Sequence, residues 1–179
     1  MRPIKTTLLL ILLAASTLGR AATPAPPNDP DPFALVEPTI VKITQKKNIR
    51  VVYDAKDDVW DAGIGKALYY VRGLLESYKA FGVPQKEIHI SIVLHGPTAY
   101  WVLNEATYRQ FKNDEFAFNP NEHVIQELLG QGVSVEVCNV TLRSKGWNAE
   151  DLLPGVTVVH DAYTRLIDLQ QQGYAYIRF

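Results

Sequence analysis

The chain has 179 residues, 47% of them hydrophobic, and its 18 Lys and Arg against 19 Asp and Glu leave a net charge of −1. A balance this even, with no basic face recurring at helical spacing, excludes a nucleic-acid partner, and a single cysteine excludes an internal disulfide framework. Without a leader of about 21 residues, roughly 158 remain, enough for one domain whose core needs neither disulfides nor a metal.

Residues 1–21 carry a basic start (Arg2, Lys5), an apolar core from Leu8 to Ala15 and a small-residue exit, Gly19-Arg-Ala21, which together predict a cleavable signal peptide. The apolar core is too short to span a bilayer and has no cysteine near its exit, so the mature protein is expected in the periplasm or secreted, with no stable membrane anchor. Six of the eleven prolines then fall between Pro24 and Pro38. Residues 22–48 read as an extended tether, in which Phe33-Ala-Leu-Val36 is the one apolar piece able to dock as a short strand or turn.

Regular patterning begins at Ile49 and defines a domain over residues 49–179. Ile49 to Tyr53, closing at Asp54, reads as a first strand. Asp61 is expected to cap a helix whose apolar positions Ile64, Ala67, Leu68, Val71, Leu75 and Tyr78 recur at helical spacing, and Gly82 and Pro84 stop it. Ile88 to Leu94 is a second strand, followed by His95-Gly96-Pro97 and a short helix over Ala99 to Leu103. Asn119-Pro120-Asn121-Glu122 has the form of a capping box and opens a helix ended by Gly130 and Gly132. Val133 to Cys138 is the third strand and Val156 to Val159 the fourth. Asp161 caps a helix running to Gly173, and Tyr174 to Ile177 is the fifth strand. Strands alternating with helices predict an α/β fold with a parallel sheet covered on both faces.

In such a sheet the ligand crevice lies beyond the carboxyl ends of the strands. Those ends read Asp54, His95-Gly96, Cys138-Asn139 and His160-Asp161, so four polar termini converge on one edge. Cys138 is the only thiol in the chain, and in an oxidising compartment an unpaired thiol is either deeply buried, as a small core hydrophobe, or used. His95 is its best partner, since an imidazolium favours a thiolate and Gly96 beside it lets backbone approach a ligand; a bond from His95 to a loop carbonyl is the plainer alternative. Alternation sets Ser134, Glu136 and Cys138 on one strand face, with Glu136 about 7 Å from Cys138. Glu136 is expected to face a partner subunit, because a carboxylate beneath a helix would need pairing. The half-polar strands bearing His89, Ser91, Ser134 and Glu136 suggest a sheet edge or a subunit interface.

Asp54, Asp57, Asp58 and Asp61 form an acidic cluster whose plainer reading is a solvated loop and a helix cap. The four histidines lack metal-ligand spacing, and there is no Gly-rich phosphate loop, nucleophile elbow or paired-cysteine motif, so no metal or cofactor is expected.

The runs Val93-Leu-His95-Gly96, Gly132 to Leu142 around Cys138-Asn139, Leu152-Leu-Pro154-Gly155-Val156 and Leu169 to Ile177 together resemble the DsrE/DsrF-like proteins over about Ile49 to Phe179. The resemblance implies a three-layer α/β/α domain with a five-stranded parallel sheet, assembled as a trimer or hexamer. It also implies, as in some members, a persulfide carried on a cysteine and passed to a sulfur-relay partner protein; Cys138 is the matching position, and His95 matches a histidine-glycine pair near the pocket. The expected site is therefore Cys138 as sulfur-accepting nucleophile and His95 as activator, with Asn139, Gly96 and Asp54 as ligand-binding groups. The alternative function is a non-catalytic oligomeric module that binds a small ligand or a partner protein.

Overall fold

The computed structural model describes residues 41–178. The signal peptide expected over residues 1–21 and most of the proline-rich tether, Phe33 to Val36 included, lie outside the described residues. A compact unit begins at Ile43, whose side chain already packs on the core, and Lys46 donates to the Phe81 carbonyl at 2.8 Å.

Five parallel strands form one sheet: β1 (Ile49–Ala55), β2 (Ile88–Leu94), β3 (Ser134–Cys138), β4 (Thr157–Val159) and β5 (Ala175–Arg178). Their order across the sheet is β4-β3-β2-β1-β5. The chain thus steps in one direction from β1 to β4 and then returns across the whole sheet to β5. Right-handed crossovers force the helices of the outward steps onto one face and the returning helix onto the other. Helices α1 (Lys66–Ala80), α3 (Glu122–Gly130) and α4 (Asn139–Lys145) cover the first face, where Leu68, Ile125 and Leu142 meet Ile90, Ile92 and Val135. Helix α5 (Ala162–Gln171) lies on the second, where Ala162, Leu166 and Leu169 pack on Val52, Val93 and Cys138.

Each expected strand is present, with ends within two residues of the sequence reading, but the connections differ in four respects, the first being that α4 is absent from the sequence reading. Asp61 does not cap α1: Trp60–Asp61 and Ile64–Gly65 pair as a short antiparallel hairpin, and α1 opens at Lys66 with no side-chain cap. Gly65 is required there, because a Cβ would lie 2.4 Å from the ring of fully buried Trp101. A helix absent from the sequence reading, α2 (Glu105–Lys112), is capped by Asn104, whose side chain accepts from the Thr107 N–H. The capping box at Asn119 is not formed; the Asn119 amide donates to the Trp101 and Leu103 carbonyls, both at 2.8 Å, and α3 starts after Asn121. Among the described residues no helix is long and apolar enough to cross a membrane.

Candidate functional site

The carboxyl ends of β1, β2 and β3 bring three of the expected residues onto the α5 face. Leu94 lies opposite Val137, and Cys138 lies opposite Val159. His95 continues β2 in an extended conformation, with φ −158 and ψ 165, and its N–H donates to the Ala55 carbonyl at 3.2 Å. One further step of the ladder therefore sets His95 level with Cys138 on the neighbouring strand, about 5 Å away backbone to backbone and on the same face. No hydrogen bond joins the thiol to His95 among the described residues.

His95 is held from behind. Its Nε2 lies 2.7 Å from Asp54 Oδ1, and the two side chains are each 6% exposed. Asp54 Oδ2 accepts a second bond, at 2.5 Å, from the hydroxyl of Tyr176 on β5. Burial, and then the bond to the Asp54 carboxylate, pushes the Tyr176 phenol up to about 12, so it keeps its proton and donates throughout the physiological range. The carboxylate fixes the imidazole tautomer, directing the Nε2 proton toward Asp54 and leaving Nδ1 as the acceptor. The ring of Tyr163, on the first turn of α5, meets the His95 ring edge-on at 5.6 Å.

Cys138 is 5% exposed and sits at the N-cap of α4, packed among Val52, Val93, Ala162, Leu166 and Leu169. Asn139 is the half-buried first residue of α4. Gly96 adopts φ +59, where an L side chain is strained, and its N–H donates to the Thr141 hydroxyl at 3.0 Å, so it ties β2 to α4. Asp54 is likewise committed to internal partners.

The other polar termini lie apart. His160 is exposed and pairs with Asp161, which caps α5 by accepting from the Thr164 N–H; those Thr164 bonds hold the Asp161 carboxyl below its usual range. The acidic cluster disperses. Asp57 faces Arg178 at 3.4 Å, while Asp58 accepts from Trp60 Nε1, the Tyr100 hydroxyl and Trp101 Nε1 at 2.9 to 3.0 Å. Among the described residues no three His, Cys, Asp or Glu side chains are grouped to hold a metal.

Glu136 does not look outward. It is 1% exposed beneath α5, where Arg165 grips it through Nε to Oε2 at 2.7 Å and Nη2 to Oε1 at 2.9 Å. Ser134 and Ser91 add hydroxyl bonds at 2.9 and 3.2 Å, which explains both serines without a sheet edge; β2 is in fact the central strand. The glutamate holds the Arg165 guanidinium well above its ordinary value. Sequence reasoning missed Arg165, Tyr163 and Tyr176. The available signal was the spacing of Arg165, four residues after the cap Asp161 and one before the buried Leu166, which turns it toward the strand carrying Glu136.

The sequence pattern of the DsrE/DsrF-like family matches residues 64–179. The chain belongs to that family. Among solved structures, the ychN protein of E. coli is similar at a TM-score of 0.54 with 14% identity, covering 73% of this chain and 99% of that one, a likeness of fold alone. A protein of unknown function from Methanobacterium thermoautotrophicum matches with 26% identity over 73% of this chain and 99% of its own, at a TM-score of 0.47. No curated protein sequence matches the chain. The five-stranded parallel sheet is thus the fold of a DsrE/DsrF-like domain, with Cys138 and His95 both inside the matched region.

Proposed function

We propose that the protein accepts and carries sulfane sulfur on Cys138, with Asp54 and His95 as its activating pair. The observation that supports this reading is the buried 2.7 Å contact between His95 Nε2 and Asp54 Oδ1, set one strand away from the chain's only thiol. His95 Nδ1 takes the thiol proton, and Asp54 stabilises the resulting imidazolium. The Cys138 thiolate attacks the outer sulfur of a persulfide or polysulfide donor: a new sulfur–sulfur bond forms on Cys138, the donor's own breaks, and the leaving thiolate keeps the electron pair and takes the proton from His95. A partner thiol then removes the sulfur by the same exchange. In this proposal the chain is exported, as residues 1–21 suggest, and self-associates. Intact mass of the protein recovered from a periplasmic fraction tests the export, with mature chain beginning at Ala22 or Thr23 as the expected result.

A second reading has one observation in its favour. The 5% exposure of Cys138 suits a packed core thiol, and the domain is then an oligomeric module that binds a small ligand or partner. Incubating the folded protein with polysulfide separates the two. The carrier gains the mass of a sulfur atom, Cys138→Ser gains none, and His95→Ala gains it more slowly. If wild type takes up no sulfur while its thiol reacts only in denaturant, the module reading stands.

A further inference from the structure

The connection between α2 and α3 holds two phenylalanines in water: Phe116 is 83% exposed and Phe118 72%. The backbone beneath them is fixed. Asn113 ends α2 in the left-handed conformation, at φ 51. The Asp114 carboxylate accepts the Phe116 N–H at 2.9 Å, its carbonyl accepts the Ala117 N–H at 3.2 Å, and Arg109 Nε donates to the Ala117 carbonyl at 3.2 Å. Exposed apolar side chains on a backbone so tied are presented outward at a recurring geometry, which is what an anchor residue needs.

A hollow flanks each ring. One, of about 830 Å³, lies beside Phe116 and is bordered by Arg109, Asn113, Asp114 and Glu115; the other, of about 620 Å³, lies beside Phe118 and is bordered by Glu105, Glu122, His123 and Glu127. Five carboxylates rim the pair. Arg109, on the rim itself, offsets one of them by pairing with Glu105 and also donates to the Ala117 carbonyl, which leaves four carboxylates without a cationic partner among the ion pairs described; the Lys112 ammonium lies 4.7 Å from the centre of the Tyr100 ring and close to Tyr108 and Phe111.

The charge selects among occupants. An isologous contact with a second copy would set the same carboxylates against one another. Anionic lipid and nucleic acid are repelled for the same reason. An apolar segment bearing lysines or arginines satisfies both features, its apolar residues covering the two rings and its cations meeting the rim. We infer that the α2–α3 connection is a docking face for a cationic, apolar peptide segment of another protein, with Phe116 and Phe118 as its anchors. The face lies outside the Cys138 site, and the inference does not rest on sulfur chemistry.

A fluorescein-labelled amphipathic peptide, with leucines at helical spacing and lysines on its flanks, tests it by anisotropy against the full chain. The expected result is binding that weakens roughly tenfold or more in the Phe116→Ser/Phe118→Ser variant and severalfold in Glu122→Gln/Glu127→Gln, and that falls as salt is raised. Phe116, Phe118 and Glu122 are exposed, and half-buried Glu127 accepts from Gln131 Nε2 at 3.1 Å through an oxygen that glutamine retains, so the variants keep the parent's fold, checked by their melting temperatures. Absence of binding, equal binding of a peptide with glutamates in place of its lysines, or indifference to the phenylalanine substitutions would overturn the inference. So would a change in the sedimentation of the protein alone when the phenylalanines are replaced, which would assign the face to a second copy, or phenylalanine-dependent pelleting with phosphatidylserine vesicles, which would assign it to a membrane.

Discussion

Replacing Arg165 by methionine isolates the cost of the buried charge beneath α5. Four hydrogen bonds reach Glu136, but Ser134, Ser91 and Arg165 Nη2 all serve Oε1, and Oε2 depends on Arg165 Nε alone. In Arg165→Met, Oε2 carries charge with no donor inside a residue that is 1% exposed. Removing one partner of such a pair costs about 3–5 kcal/mol, a large share of the roughly 5–15 kcal/mol that holds a domain together. The reverse deletion is milder: in Glu136→Gln the Arg165 side chain, 30% exposed, retains Asp168 at 2.8 Å and reaches water. That variant should lose about 1–2 kcal/mol. Urea unfolding of both single variants and the double variant, at neutral and mildly acidic pH, gives the cycle. The unpaired carboxylate is discharged only by taking a proton, so the Arg165→Met deficit should be largest at neutral pH and shrink as the pH falls toward the ordinary glutamate range. An Arg165→Met cost below about 1 kcal/mol, a cost no greater than that of Glu136→Gln, or one indifferent to pH would refute the reasoning.

Gly65→Ala should destabilise by about 3 kcal/mol through the clash with Trp101, whereas Gly96→Ala, where a Cβ meets nothing within 4 Å, should cost only about 1 kcal/mol for its φ of +59; thermal or urea melts of the two compare a steric with a conformational requirement. Labelling of Cys138 by a small electrophile should slow about fivefold in Tyr176→Phe and at least tenfold in Asp54→Asn, on the ordinary worth of a neutral and a charged hydrogen bond. If the Asp54→Asn rate equals wild type, His95 does not act on the thiol. Because the Tyr176 phenol is raised from 10.0 to about 12, its bond to Asp54 is intact below pH 10.0, and whatever stability this half-exposed group contributes is lost as the pH rises through about 12; melts across that range follow it. Light scattering after size exclusion should give a trimer or hexamer, and a monomer at micromolar concentration would remove the self-association proposal.

The strands were readable because each is a run of β-branched and aliphatic residues bounded by a polar or glycine break, and α5 because Asp161 caps it as its sequence suggests. What misled was local chemistry overridden by tertiary partners. Asp61 precedes an amphipathic run, yet the chain there is bent into a hairpin: the neighbouring Trp60 and Trp101 both donate to Asp58, and Gly65 seats against the Trp101 ring. Asn119 has the form of a helix cap, and its Oδ1 does accept the Asn121 N–H at 3.0 Å, but its amide is tied to the Trp101 and Leu103 carbonyls and the helix itself begins two residues later, after Asn121. Helix α4 was missed because Asn139–Lys145 is short and carries Val140 and Thr141, poor helix formers; it forms because Thr141 and Leu142 are buried. The site divided similarly. His95, Cys138 and Asp54 could be placed on one edge from strand ends alone, but Tyr176 reaches Asp54 from 122 residues away and Arg165 reaches Glu136 from 29, and such distant pairs leave no periodic trace.

The order β4-β3-β2-β1-β5 also accounts for why the polar residues gather where they do. Three outward crossovers place α1, α3 and α4 on one face and fill it with aliphatic side chains, while the single return crossover leaves the other face to α5 alone. Five strands span about 24 Å, and one helix covers about 10 Å of that. Helix α5 lies over β1 and β2 and reaches Cys138 and Glu136 on β3. On the β3 and β4 side a groove of about 460 Å³ remains over Ser134, Thr157 and Val159. Polar side chains survive under α5 because they answer one another: Glu136 has Arg165 and two serines, and Asp54 has His95 and Tyr176. The same incomplete cover leaves Tyr163 and Tyr176 exposed beside the Asp54–His95 pair, at 62% and 43%, and Ile167 exposed one turn further along α5, at 54%. In the self-association proposed above, a second copy seated on that face would cover these side chains and narrow the approach to Cys138.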